Sequence, residues 1–203
     1  LAWVNTLAGA AAAMLGWLVT ERIRDGHFTS LGAASGVVAG LVAITPACAA
    51  VTPMGALAIG LLAGAACASA LSLKHRFNFD DALDVVAVHL VGGLVGTLAI
   101  GLFAKGSLTG GAAGLLYGGG LDQLGRQAIG AAAVLAYSLV ASFLIAKAVS
   151  MVMPMRLDTA CESLGVDVCE HAEVGYDLSH VGYTAYSVNQ TVVVPAITKE
   201  KVA

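Results

Sequence analysis

The chain has 203 residues, 58% of them hydrophobic and 11% charged, with a mean hydropathy of +0.85 and a formal net charge of −3. Soluble domains run nearer 45–50% apolar and about 25% charged, so this composition excludes a water-soluble globule and places the chain among integral membrane proteins. Its ten Lys and Arg residues are scattered and form no basic stripe, which excludes a nucleic-acid binder.

A membrane helix requires about 20 mostly apolar residues. Five stretches qualify in chain order, at about 1–20, 31–48, 54–73, 82–104 and 127–151. The first is apolar from its first residue, with neither a basic region nor a cleavage site behind it, so no signal peptide is expected. The lack of an initial Met points to a missing upstream part. The second stretch is short, and Pro46 ends it. The connections are polar or turn-prone: "ERIRDGHFTS", "TPACAAVTP", "KHRFNFDD" and "KGSLTGGAAGLLYGGGLDQLGR". The last is glycine-rich but lacks the Lys-Ser/Thr ending of a phosphate-binding loop, and reads as a flexible re-entry loop. The fold expected is an all-α, polytopic transmembrane helix bundle over 1–153, followed by a tail over 154–203.

Basic residues set the orientation. Arg22, Arg24, Lys74 and Arg76 fall in the first and third loops, and Arg156 follows the fifth helix. That side is expected to be cytoplasmic, which puts the amino end outside and the tail inside. The sequon Asn189-Gln190-Thr191 then lies inside, and reads as chance. The tail carries Asp158, Glu162, Asp167, Glu170, Glu173 and Asp177, and reads either as a partner-binding segment or as a solvated terminus.

Glycines recur every four residues: Gly32, Gly36 and Gly40, then Gly60 and Gly64, then Gly92 and Gly96. Lipid gives helices little hydrophobic reason to associate, so close backbone approach has to supply packing energy. The ladders predict a dense bundle. Cys48 and Cys67 sit in apolar runs and read as small packing residues. Cys161, Cys169 and His171 make a C-x7-C-x-H pattern that falls short of a zinc signature. No disulfide and no metal site are expected, and the tail thiols are expected to be reduced.

The most informative stretch is "DDALDVVAVHLVGGLVG", from Asp80 to Gly96. Asp80 or Asp81 suits the start of the fourth helix, and Asp81 with Asp84 has capping-box spacing. Asp84 and His89 are five residues apart, about 140° round a helix, so they do not form a pair. His89 stands about eight residues into the expected helix, roughly 12 Å deep in a ~30 Å hydrocarbon core. Ionisable groups at such depth usually face a bundle interior and mark a path for ions or protons. The bland alternative is a neutral ring tied to a neighbouring carbonyl. No nucleophile, metal cluster or second titratable group stands at comparable depth, so neither an enzyme nor a cofactor is expected.

These residues resemble the ammonium transporter (Amt/Mep/Rh) family. "DDALDVVAVHLVGG" is similar to the family segment D-D-x-x-D-V-F-x-V-H-G-x-G-G, which carries the second of two pore histidines. "LGAASGVVAGLVAITPACAAVTPMGALAIGLLAG" resembles the preceding helix pair, "LAWVNTLAGAAAAMLGW" the helix before that, and "LGVDVCEHAEVGY" the cytoplasmic tail. The likeness runs from Leu1 to Asp177. It implies the ammonium-transporter fold in part, the last five of eleven helices. His89 falls on the second pore histidine, Asp84 on the acidic residue one and a half turns before it, and Val85 on an apolar position lining the pore. Leu90 departs from the pattern, standing where the family has glycine.

The resemblance further implies conduction of ammonium or ammonia through a multi-pass protein of the cell membrane, a homotrimer with one pore per subunit, and a PII-type signal protein at the tail. The first pore histidine has no counterpart here, so this chain alone is not expected to form the pore. The alternative is a non-transporting membrane module whose tail binds a cytoplasmic regulator.

Overall fold

The computed structural model describes residues 1–173, so Asp177 and the sequon at 189–191 lie outside the described residues. The first of two compact units, Leu1–Ile145, holds the membrane helices. In it, α1 (Ala2–Asp25), α2 (Ser30–Ile44) and α3 (Pro53–Ala70) pack together. A short α4 (Ser72–Phe77) follows. A π-helical turn, Val86–Val91, then leads straight into α5 (Gly92–Phe103). α6 (Gly106–Thr109) and a 3-10 turn, Leu115–Tyr117, precede the 29-residue α7 (Asp122–Ser150). The second unit starts at Ala146 and contains α8 (Thr159–Leu164) and a π turn, Asp167–His171.

Four segments are long and apolar enough to cross a membrane: Ala2–Asp25, Pro53–Phe77, Val86–Phe103 and Asp122–Ser150. The second expected span is shorter than its stretch of sequence. Its helix ends at Ile44 after 15 residues, and turns around Pro46 occupy the rest. Those turns expose backbone groups inside the bundle, where each must find a partner. The buried side chain of Asn5 supplies two, its Nδ2 donating to the carbonyls of Cys48 and Val51, both at 2.8 Å.

Side chains at the α1–α2 connection do similar work. Thr29 Oγ1 accepts from Gly32 N (2.8 Å) to cap α2 and donates to the buried Glu21 (2.7 Å), whose other oxygen accepts from Thr29 N (3.0 Å). Two cations hold other helix ends in place. Arg24 Nη1 donates to the Ala68 carbonyl at 2.6 Å, and Lys74 pairs with Asp84 at 2.6 Å.

The glycine ladders lie where helices come closest. A Cβ on Gly36 would meet Met14 Cα and Trp17 Cβ at 2.8 Å, and one on Gly40 would meet Ala10 Cα and Gly9 O at 2.8 Å. Gly60 and Gly64 sit against the backbone of α1, and Gly96 against the carbonyl of Ala43. The core around them is built largely from Ala, with Ile44, Ile59, Val51 and Trp17 as its larger members.

The glycine-rich loop before α7 differs from expectation. It is not a free connection but a chain of hydrogen-bonded turns. Lys105 N donates to Ala50 O (2.9 Å), Gly114 N to Ala104 O (2.8 Å), and Tyr117 Oη lies 3.3 Å from Thr52 Oγ1. An antiparallel bridge joins Val51 and Ala104. The glycines at 110, 111, 118 and 120 have positive φ, which lets so short a segment reverse repeatedly.

The tail also differs from expectation. Cys161 and Cys169, read as reduced thiols, are joined as a disulfide. Spacing alone could not show this, because the intervening residues fold back through Gly165 at φ +105 and bring the sulfurs together. The third ligand-capable group beside them is Glu170, its oxygen and the two sulfurs lying within 4.8 Å of one another.

Candidate functional site

The site is built where α4 hands over to α5. Asn78 (φ +51) ends α4, and the chain turns through Asp80 to Asp84. Asp81 then caps the next helix with both carboxylate oxygens: Oδ1 accepts from Val85 N and Oδ2 from Val86 N, each at 2.8 Å. The reciprocal half of a capping box is absent. Asp84 instead stands in the left-handed region at φ +56, a conformation Asp tolerates better than most residues. Its carboxylate pairs with Lys74, whose Nζ also donates to Asp81 O at 3.3 Å. Asp80 is exposed in the turn before.

The helix therefore begins at Val86, not at 82 as expected, and His89 falls in its first turn. That first turn is π-helical. Such turns are rare, widen the spacing between successive side chains, and occur frequently at functional sites. Here the turn keeps Ala87 and Val88 buried against the core and presents His89 and Leu90 outward. No described residue hydrogen-bonds the His89 ring.

His89 and Leu90 form one wall of a cavity of about 380 Å³. Thr97, one side further along α5, continues that wall, and Gln127, Val134 and Ser138 of α7 face it. Val85, expected beside the pore, is about half exposed but is not part of these walls. Thr97, Gln127 and Ser138 escaped the sequence reading. Single polar residues in apolar helices give no spacing signal, and only the facing of α5 and α7 brings them to one cavity. Chemically the space is apolar with a few hydrogen-bonding groups, and an unbonded imidazole with one donor and one acceptor when neutral.

In the second unit, Arg156 holds Glu162 through two nitrogens, at 2.8 and 3.3 Å. The bonded guanidinium keeps the Glu162 carboxyl below its ordinary range, against a smaller opposing effect of desolvation.

An apolar bundle of membrane-length helices, with an unbonded histidine opening a cavity between two of them, defines the chain as part of a polytopic membrane protein. The chain belongs to the Ammonium Transporter Family, whose model matches residues 1–176. It is 55% identical over 183 residues to an ammonium transporter of Mycobacterium tuberculosis (strain ATCC 25618 / H37Rv), covering 87% of this chain and 38% of that protein. It is 43% identical over 177 residues to an ammonium transporter of Bacillus subtilis (strain 168), covering 86% and 44%. Its fold matches the crystal structure of Candida albicans Mep2 with a TM-score of 0.73 at 33% identity, over 78% of this chain and 36% of that one. The chain thus spans about two fifths of the length of the curated relatives it matches.

Proposed function

We propose that this chain is part of an ammonium transporter subunit, in which His89 contacts ammonia on its way across the cell membrane. The carrying observation is the His89 ring, exposed in a π turn at the start of a membrane helix, unbonded by any described residue, and forming the wall of a cavity otherwise mostly apolar. A bare ammonium ion entering such a space would lose its hydration at a cost on the order of tens of kcal/mol in the idealised limit. A workable route gives up the proton at the mouth and passes neutral ammonia inward. A neutral imidazole hydrogen-bonds ammonia as donor or acceptor and does not trap it as a charge would. Leu90 narrows the same wall, and Asp84 and Asp81 hold the turn that aims the ring.

Further parts of the proposal rest on family membership and on the distribution of basic residues: a multi-pass protein of the cell membrane, a cytoplasmic tail, a homotrimeric assembly, and a PII-type regulator at the tail.

The test is His89→Ala in a complete transporter containing this chain, read as methylammonium uptake or ammonium current. Losing one to two hydrogen bonds in a desolvated passage costs about 1–3 kcal/mol, so transport falls roughly fivefold to a hundredfold. His89→Gln, which keeps a donor and an acceptor, loses less. Unchanged transport and selectivity in His89→Ala would overturn the role.

A further inference from the structure

Two of the four cysteines lie in the second unit, and these two are bonded to each other. Cys161 belongs to α8 and Cys169 to the π turn that follows, while Cys48 and Cys67 are free. The Cα atoms of the pair are 5.7 Å apart, within the range a disulfide spans without moving the backbone. The backbone brings them there by itself: Gly165 N donates to Cys161 O at 3.0 Å, and Cys169 N to Gly165 O at 3.1 Å. Cys161 is buried and Cys169 is exposed.

We propose that Cys161 and Cys169 are a reversible dithiol–disulfide couple, a redox modification site that decides whether α8 is stapled to the turn after it. Exposed disulfides are the more labile ones, and an exposed thiol is the one a small oxidant reaches first. The oxidant is a small-molecule disulfide such as oxidised glutathione. Cys169 loses its proton and its sulfur attacks one sulfur of the oxidant. One small thiolate leaves, takes up that proton, and a mixed disulfide remains on Cys169. Cys161 then loses its proton to solvent, with a Glu170 carboxylate oxygen 3.9 Å from its sulfur. Its sulfur attacks Cys169 Sγ and expels the second small thiolate, which is protonated in turn. Two protein thiols have given up two electrons and two protons, and one small disulfide has become two thiols. Excess small thiol reverses both steps.

The sequence makes the test direct, because both cysteines fall on one tryptic peptide, 157–199. The full chain in membranes is equilibrated in glutathione buffers from reducing to oxidising, alkylated with N-ethylmaleimide, digested and weighed. The expected result is a transition between a doubly alkylated peptide and an unalkylated one two hydrogens lighter, with little singly alkylated form. Cys161→Ser is expected to accumulate glutathione on Cys169 in the oxidising buffer. A glutamate-specific protease is expected to cut after Glu162 and Glu170 severalfold more slowly in the oxidised wild type than in the reduced one, with no such difference in Cys161→Ser. Independent alkylation of the two thiols, full alkylation in every buffer, or a bond that persists in the most reducing buffer would each overturn the proposal.

Discussion

At the scale of single residues, Asp81 does more for the site than its sequence position suggests. It caps the helix through both oxygens, at Val85 N and Val86 N. Hydropathy started this helix at residue 82 because the apolar run begins there. The structure starts it four residues later, because Asp84 at φ +56 cannot belong to a right-handed helix and is held out of it by Lys74. That delay moves His89 from an expected second turn to the first, and no pattern of apolar residues records it. Replacing Asp81 by Ala removes both acceptors and is expected to cost about 1 kcal/mol, the usual loss for a helix cap. For a chain of this size that is a fall of about 2–4 °C in Tm, measured by thermal unfolding in detergent. Asp81→Asn, which keeps one acceptor, should fall less. An Ala variant as stable as the parent would show that the cap carries no load.

At the scale of elements, the glycine ladders made the packing legible before any coordinates. A repeat every four residues can only mean one face of a helix, and the faces found at Gly36, Gly40, Gly60 and Gly64 all meet α1. The helical membrane class followed from composition for the same reason, since too few charges remain to coat a soluble surface. What the pattern did not distinguish is which glycines are under pressure. Gly96 has the Ala43 carbonyl against it, whereas Gly93, three residues earlier, has nothing within 4 Å and faces the cavity. An added methyl at Gly96 forces α5 away from α2, a change that overpacking series put at about 1–3 kcal/mol. Gly96→Ala is therefore expected to lower Tm, and to lower transport in the complete protein because α5 continues directly from the turn that holds His89. Gly93→Ala is expected to leave Tm unchanged or raise it, since Ala is the better helix former. Equal effects of the two substitutions would contradict the close approach at Gly96. The tail was the least legible element. Its disulfide depends on how the residues around Gly165 fold back, a matter of one residue's φ rather than of any periodicity.

At the scale of the whole molecule, α7 decides what this chain does alone. It is 29 residues long, holds an apolar stretch long enough to cross a membrane, and none of its residues is buried. A helix with none of its residues buried by its own chain turns its apolar sides to lipid or to further protein. The cavity shares this openness: one wall is the start of α5, the other a face of α7, and His89 stands exposed between them. A polar solute crosses hydrocarbon only inside a passage closed off from acyl chains, because every unpaired hydrogen-bonding group it carries is costly there. Two walls do not enclose a passage. The relatives extend well beyond the portion matched here, which is 38% of the Mycobacterium protein and 44% of the Bacillus one. The expected outcome is that this chain, reconstituted alone in liposomes, dissipates an ammonium gradient no faster than protein-free liposomes. A complete transporter containing it is expected to do so faster, and to lose that excess in His89→Ala. The readout is the internal pH after an ammonium step. A faster, His89-dependent rate from this chain by itself would mean that α5 and α7, or copies of this chain assembled around them, enclose a passage of their own.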